Sequence, residues 1–289
     1  MTGHRKLAIP AVLQIFLAHV LLLATLLGQL FFSPRANAEA SAPQTLHVMI
    51  DPGHGGTDTG ASRGVIKESE IALKVALKLA EEVRSDSRFK VSLTRTTDRK
   101  LSLPARTKIA EDAKADVFLS VHLNSSTDTR ARGFEVYFQN QLPADEEAMF
   151  LVGREHEEET GALSPEIPEK AEPISVQTDL KRILEDLHRN HRIINASELA
   201  KRLIESVSRG QVSGRHQIRQ APFQVVQNIA IPSVLVELGF ITHPQEGQRL
   251  LEDDYQKLLV TNLFQGLVKY KETIDKDAAE KLKLQASAQ

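Results

Sequence analysis

Two histidines stand where apolar runs give way to turns. His54 lies in Asp51-Pro52-Gly53-His54-Gly55-Gly56, whose glycines let the backbone turn sharply and let a ligand or metal approach. His122 follows the run Val117-Phe118-Leu119-Ser120-Val121. Taken singly, each has a plainer reading: a solvated turn residue for His54, and for His122 a core histidine satisfied by a backbone carbonyl. Glu68 opens the amphipathic stretch after the His54 loop. There a carboxylate either reaches back toward the histidine or complements the dipole of a helix start. Glu237 sits in Pro232-Ser233-Val234-Leu235-Val236-Glu237-Leu238-Gly239-Phe240, a carboxylate inside an apolar strand. Burial of an unpaired carboxylate is costly, so this one calls for a cation, a metal-bound group, a proton or a salt bridge. Two imidazoles and one carboxylate suit a tetrahedral zinc with its fourth position open, and a second carboxylate is then available for proton transfer. The helical His-Glu-x-x-His signature is absent, so such a site has to be assembled from distant segments.

The elements that would position these residues follow from the apolar pattern. Alternating apolar runs and amphipathic stretches predict an α/β fold, a single domain with a mostly parallel central sheet flanked by helices. Strands are expected over 46–51, 89–94, 116–123, 133–139, 223–227 and 234–237. A helix is expected over 68–84, where Ile71, Leu73, Val75, Ala76, Leu79, Ala80 and Val83 fall near helical spacing. Further helices are expected over 103–114, with Pro104 near its start, and over 196–209, 244–251 and 255–271. The strand bearing Val117 to Val121 is apolar on both faces and is expected to be central. His54 and His122 then both lie at carboxyl ends of strands, the edge where open parallel sheets bind ligands. The metal site is expected at that edge. Between 140 and 195 the pattern breaks into acid-rich runs, a turn around Pro165 to Pro173 and a helix-like 180–191. Residues 273–289 read as a polar tail, helical or frayed.

Composition narrows the function classes. A chain of 289 residues with 41% hydrophobic content can bury one large core. His4, Arg5 and Lys6 form a basic head, an apolar run follows over 7–32, and Ala36-Asn37-Ala38 has the small-x-small pattern of a signal-peptidase site. The expectation is a signal peptide over 1–38, a short linker over 39–45 and a catalytic domain over 46–272. The apolar run is also long enough to span a bilayer, so an uncleaved anchor is the rival reading. Either way the body is exported, and membrane contact is confined to an uncleaved leader. Removing 1–38 takes away Arg5, Lys6 and Arg35 and no acid, moving the formal charge from −2 to −5. Such a mildly acidic body argues against general nucleic-acid binding. With no cysteine, disulfides, thiolate catalysis and Cys-based zinc sites are excluded together.

Met49-Ile50-Asp51-Pro52-Gly53-His54-Gly55-Gly56, Lys67-Glu68, Ser120-Val121-His122-Leu123-Asn124 and Val236-Glu237-Leu238-Gly239-Phe240-Ile241 resemble, in that order, the motifs of zinc-dependent N-acetylmuramoyl-L-alanine amidases of the type-3 class. Gln220-Ala221-Pro222-Phe223-Gln224-Val225-Val226 is similar to the segment that leads to that family's penultimate strand. The resemblance covers most of 46–271. It implies a Zn2+ held by His54, Glu68 and His122, with Glu237 as the catalytic glutamate. It implies peptidoglycan as substrate, cut at the amide joining the lactyl group of N-acetylmuramic acid to L-alanine, in wall remodelling and daughter-cell separation in a Gram-negative periplasm. Asn124 either orients substrate or the ligands, or is a solvated turn residue. His243 departs from the family pattern, where asparagine is expected, and could enter the metal shell or open the helix that follows. The alternatives are a non-catalytic wall-binding protein of the same fold and a zinc peptidase acting on another wall amide.

The broken stretch gains meaning from the same resemblance. Division-associated relatives carry a segment here whose helix covers the zinc and is displaced by an activator with a LytM-type domain. Glu146, Glu147 and Glu155 are the candidates for a carboxylate that caps the zinc in place of water. The bland alternative is an acidic solvated helix and linker.

Overall fold

The computed structural model describes residues 44–140, 146–160, 176–227 and 229–287. The expected leader and the turn around Pro165 to Pro173 lie outside them. Among the described residues no helix is long and apolar enough to cross a membrane.

The first strand, β1 (Leu46–Pro52), is buried along its whole length, with its His47 bonded to Ser92 Oγ (2.9 Å) and its Asp51 paired with Arg106. It leads through the glycine loop and two short strands, β2 (Ser62–Arg63) and β3 (Ile66–Lys67), into α1 (Glu68–Arg84). Helix α1 buries Ile71, Ala72, Val75, Ala76, Leu79, Ala80 and Val83 on one stripe. Truncating one of its fully buried positions, such as Leu79→Ala, is expected to cost about 2–5 kcal/mol. Strand β4 (Phe89–Leu93) follows, then α2 (Leu103–Asp112), capped by the Ser102 hydroxyl and carrying Pro104 in its first turn. Next come β5 (Val117–Asn124), β6 (Gly133–Phe138), α3 (Glu146–Thr160) and α4 (Val176–Arg209). The chain ends with β7 (Arg215–Gln220), α5 (Gln224–Gln227), β8 (Ser233–Phe240), α6 (Pro244–Arg249) and α7 (Asp253–Ser287).

The six-stranded sheet runs β4-β1-β5-β8-β6-β7. All neighbours are parallel except β6 against β8. The apolar strand expected at the centre is β5, between β1 and β8. Alternation along the strands divides the core into two layers. On one face Leu119, Val121, Val136 and Val236 pack with residues of α1, α4 and α7. Phe118, Tyr137 and Leu235, on the opposite face, pack with Ala110 of α2, Ala148 and Leu151 of α3 and Val225 of α5. By the same alternation His122 and Glu237 point to this second face.

Two expectations change. Residues 223–227 are not a strand: Gln224–Gln227 is a short helix whose Val225 and Val226 fill the second layer. The strand lies just before, in Arg-His-Gln-Ile-Arg-Gln, paired in register with β6. An edge strand needs no apolar face, so its polar sequence hid it. The helix-like 180–191 and the helix over 196–209 form one continuous α4, and the polar stretch after Lys271 continues α7 to Ser287.

Candidate metal and catalytic site

His54 owes its position to the turn that ends β1. Its φ is 54°, and Gly55 and Gly56 that follow are also at positive φ, so the loop reverses within three residues. Two buried arginines hold the loop by its carbonyls. Arg106 donates to Pro52 O (2.7 Å) and His54 O (2.9 Å) and pairs with Asp51 (2.9 Å). Arg95 donates to Pro52 O (3.0 Å) and Gly53 O (2.7 Å). Burial, reinforced by the neighbouring Arg106 charge, lowers the Arg95 pKa to about 10. Gly53 is needed for a different reason: a Cβ there would stand 2.4 Å from the His122 ring. Its absence lets the two imidazoles meet edge-on, centroids 5.0 Å apart.

Four donors converge. Glu68, first residue of α1, places Oε1 3.0 Å from His122 Nδ1 and 3.2 Å from His54 Nε2. The same carboxylate accepts from the backbone N–H groups of Leu123 and Ala61 (both 2.9 Å). Glu155 of α3 places Oε2 3.3 Å from His54 Nε2 and 3.7 Å from His122 Nδ1. One ligand atom from each of the four lies within 4.8 Å of the others. A tetrahedral zinc with bonds of about 2.0–2.2 Å spaces its donors roughly 3.3–3.6 Å apart, so the donor set and its spacing fit such an ion. Asp58 Oδ1 binds His54 Nδ1 at 3.0 Å, turning Nε2 toward the centre, the role carboxylates play behind metal-ligating histidines.

The electrostatics agree. Burial opposes charge on His54, but the carboxylates of Glu68 and Glu155 outweigh it and raise its pKa well above 6.5. Burial likewise opposes ionisation of Glu68, and His54 together with hydrogen bonds from His122 overcomes it and lowers that pKa. A centre that attracts a proton this strongly attracts a metal cation for the same reason.

Glu237 stands one strand over, directly opposite His122 on β5 and opposite Glu135 on β6. It is buried, and its Oε2 has no hydrogen-bond partner among the described residues. Burial first, then the charges of Glu68, Glu155 and Glu135, raise its pKa well above the carboxylate range. Asn124 is buried and donates to Glu135 Oε2 (2.9 Å), so it faces the site interior rather than solvent. His243 caps α6 by accepting from the Glu246 N–H (3.1 Å) and is outside the donor cluster. The side chains of Glu146 and Glu147 lie outside the described residues, and among the described residues Glu155 is the insertion carboxylate brought to the histidines.

Sequence reasoning missed Asp58, Arg95, Arg106 and Glu135. Glu135 carried a usable signal, a carboxylate within the apolar Gly-Phe-Glu-Val-Tyr-Phe strand, as Glu237 did. The arginines carried none, because an arginine in a turn or a helix reads as solvated until the loop it holds is known.

The whole of this arrangement falls within residues 48–269, which match the family described as N-acetylmuramoyl-L-alanine amidase. The chain is 31% identical over 245 residues to the probable N-acetylmuramoyl-L-alanine amidase AmiB of Haemophilus influenzae, covering 83% of this chain and 55% of that protein. It therefore spans little more than half the length of that relative. It is 30% identical over 240 residues to N-acetylmuramoyl-L-alanine amidase AmiA of Escherichia coli, covering 82% of this chain and 80% of that one. The crystal structure of N-acetylmuramoyl-L-alanine amidase from Clostridium difficile 630 matches with a TM-score of 0.58 at 25% identity, covering 79% of this chain and 98% of its own. A family match over this much of the chain, joined to a relative 30% identical over four-fifths of it, places the assignment beyond the fold alone. The chain belongs to the N-acetylmuramoyl-L-alanine amidase family.

Proposed function

We propose that this chain is a zinc amidase that hydrolyses the bond between the lactyl carbonyl of N-acetylmuramic acid and the L-alanine nitrogen of the peptide stem. The reading is carried by one observation: His54, Glu68 and His122 converge while Glu237, buried without a hydrogen-bond partner at Oε2 among the described residues, stands directly across the strand from His122. Those three residues would hold the ion, which supplies Lewis acidity toward the scissile carbonyl. Glu237 takes the proton released by the attacking water and delivers it to the departing nitrogen, as the C–O bond forms and the C–N bond breaks. Asp58 keeps His54 in the tautomer that offers Nε2. Asn124, Tyr137 and Arg219 all bond to Glu135 and keep that second carboxylate anchored beside Glu237.

Glu155 would be a fourth ligand that keeps the enzyme at rest. The cavity bounded by His54, His122 and Glu155 measures about 20 Å³, too small for a substrate carbonyl. Activation then requires α3 to leave, and a protein with a LytM-type domain is the proposed agent. The exposed Ile183, Leu184 and Leu187 on one side of α4 offer apolar surface for such a partner. Export to a Gram-negative periplasm and a part in daughter-cell separation complete the proposal. The test is mass analysis of fragments released from purified wall by the chain without residues 1–38, both as it stands and with Glu155→Ala to relieve the resting contact, with and without chelator. Intact stem peptides freed from muramic acid, only when metal is present, are expected. Cuts within the peptide or the glycan, or release that survives chelation, overturn the reading.

A further inference from the structure

The metal site does not end at Glu237. His122 on β5 pairs with Glu237 on β8, Glu237 with Glu135 on β6, and Glu135 with Gln217 on β7. Directly opposed residues share a face of the sheet, so these four side chains form one polar row from the histidine pair to the edge strand. On β7 the alternation puts Arg215 and Arg219 on the same face as Gln217.

The row opens into a cavity of about 720 Å³ lined by Arg130, Arg132, Glu135, Arg215 and Gln217. Its charges are not equally available. Arg130 is paired with Asp128. Glu135 is already engaged by Asn124, Tyr137 and Arg219. Arg132 and Arg215 are exposed and have no salt-bridge partner among the described residues. Their backbones are adjacent, because Gly133 pairs directly with Arg215 and a Cβ on Gly214 would stand 2.6 Å from Gly133 Cα, and both side chains line this one cavity. Arg132 feels the charge of the buried Glu246 without forming an ion pair with it, and two guanidiniums without salt bridges in one cleft select for an anion with planar oxygens.

We propose that Arg132 and Arg215 form a subsite for a carboxylate of the peptide on the amine side of the scissile bond. This inference rests on the amidase reading above. Once its lactyl carboxyl is amidated, the glycan is uncharged, so the free carboxylates of the substrate all belong to the peptide. Strands lie about 4.7–4.9 Å apart, which puts Gln217 roughly 14 Å from His122 across the row. An extended peptide advances about 3.3–3.6 Å per residue. The subsite therefore receives a carboxylate about four residues beyond the scissile amide, fewer by the length over which the arginine side chains reach back along the row.

The test uses zinc-loaded chain, each protein also assayed with Glu155→Ala to relieve the resting contact, and two synthetic N-acetylmuramoyl tetrapeptides, one with free carboxyl groups and one with carboxamides in their place. The wild type is expected to favour the acid by at least tenfold in kcat/KM. The R132Q/R215Q double variant should lose that preference while cleaving the carboxamide as the wild type does. No preference in the wild type, or a preference that survives in the double variant, overturns the subsite and leaves the amidase reading standing. If neither compound is cleaved with Glu155 present or replaced, the amidase reading fails, and calorimetric binding of the free tetrapeptide and its amide decides the subsite. Tighter binding of the acid that disappears in R132Q/R215Q supports it, and equal binding of acid and amide overturns it.

Discussion

Replacing Glu155 by alanine removes one donor from the cluster and leaves the other three on a rigid base. Glu68 is fixed by two backbone N–H groups, His54 by Asp58, and His122 lies within the buried strand β5. Glu155 is different. It reaches the histidines from α3, a helix docked on the sheet through buried Ala148 and Leu151 while Phe150 stays exposed. Its side chain is 23% exposed and its oxygen lies 3.3 and 3.7 Å from the two ring nitrogens. A charge-assisted contact of this kind contributes about 1.5–3 kcal/mol, and each 1.4 kcal/mol is about a factor of ten in a population. If the resting chain is closed, Glu155→Ala should raise kcat/KM on purified wall by roughly 10- to 150-fold. The rise stops once the open form predominates. Zinc content should stay at one per chain, read by elemental analysis, and hydrogen exchange along α3 should speed up. A variant that keeps its zinc and shows wild-type or lower activity refutes the gating role.

Three further outcomes follow from the same geometry. Glu237→Gln should retain zinc yet lose turnover by roughly 100- to 10,000-fold, the usual contribution of a positioned acid–base group; near-wild-type cleavage would remove Glu237 from the mechanism. Asp58→Asn should weaken zinc about 10- to 100-fold by releasing the His54 tautomer, measured against a competing chelator, and unchanged affinity would show that the Asp58 contact is not what orients the ligand. In the metal-free chain the raised His54 pKa contributes stability that is complete below its ordinary 6.5 and is lost as pH rises through the folded value. Zinc competes for the same ring nitrogen, so its affinity should climb across that window. Urea melts of the metal-free chain that do not weaken above pH 6.5 would contradict this account.

Much of the site was legible because its residues break local patterns. A carboxylate inside Val-Leu-Val-Glu-Leu and a histidine ending an apolar strand are costly unless they serve a partner, and both lie on the same sheet face. Glu68 was legible only through resemblance, since a glutamate at a helix start is ordinary; what distinguishes it is the backbone of Leu123, distant in sequence. Strand β7 was missed for the opposite reason. It lies at the end of the sheet and only Ile218 is apolar, so no periodicity marked it, while the apolar Phe223 to Val226 mimicked a strand and instead fills the layer beneath α3. Two helices predicted separately merged because nothing between His191 and Ala196 breaks a helix. Asn195 bonds back to the His191 carbonyl within it.

The charge on α3 joins gating to chemistry. Glu237 is held toward its protonated form by burial and then by three carboxylates, Glu68, Glu155 and Glu135. On the proposed reading Glu155 therefore acts twice in the resting chain, filling the fourth position and adding a like charge that opposes ionisation of the base. Of the three carboxylates only Glu155 is carried on α3. Departure of α3 therefore removes one like charge and moves the Glu237 pKa down, toward the ionised form that the first half of the reaction requires. Glu68 and Glu135 stay, and their repulsion keeps the protonated form accessible for the second half, when the leaving nitrogen needs a proton. The acid limb of the kcat/KM profile on purified wall should accordingly lie at lower pH in Glu155→Ala than in Glu155→Asp, which shortens the side chain but keeps its charge on α3. Coincident acid limbs would confine the effect of Glu155 to access alone.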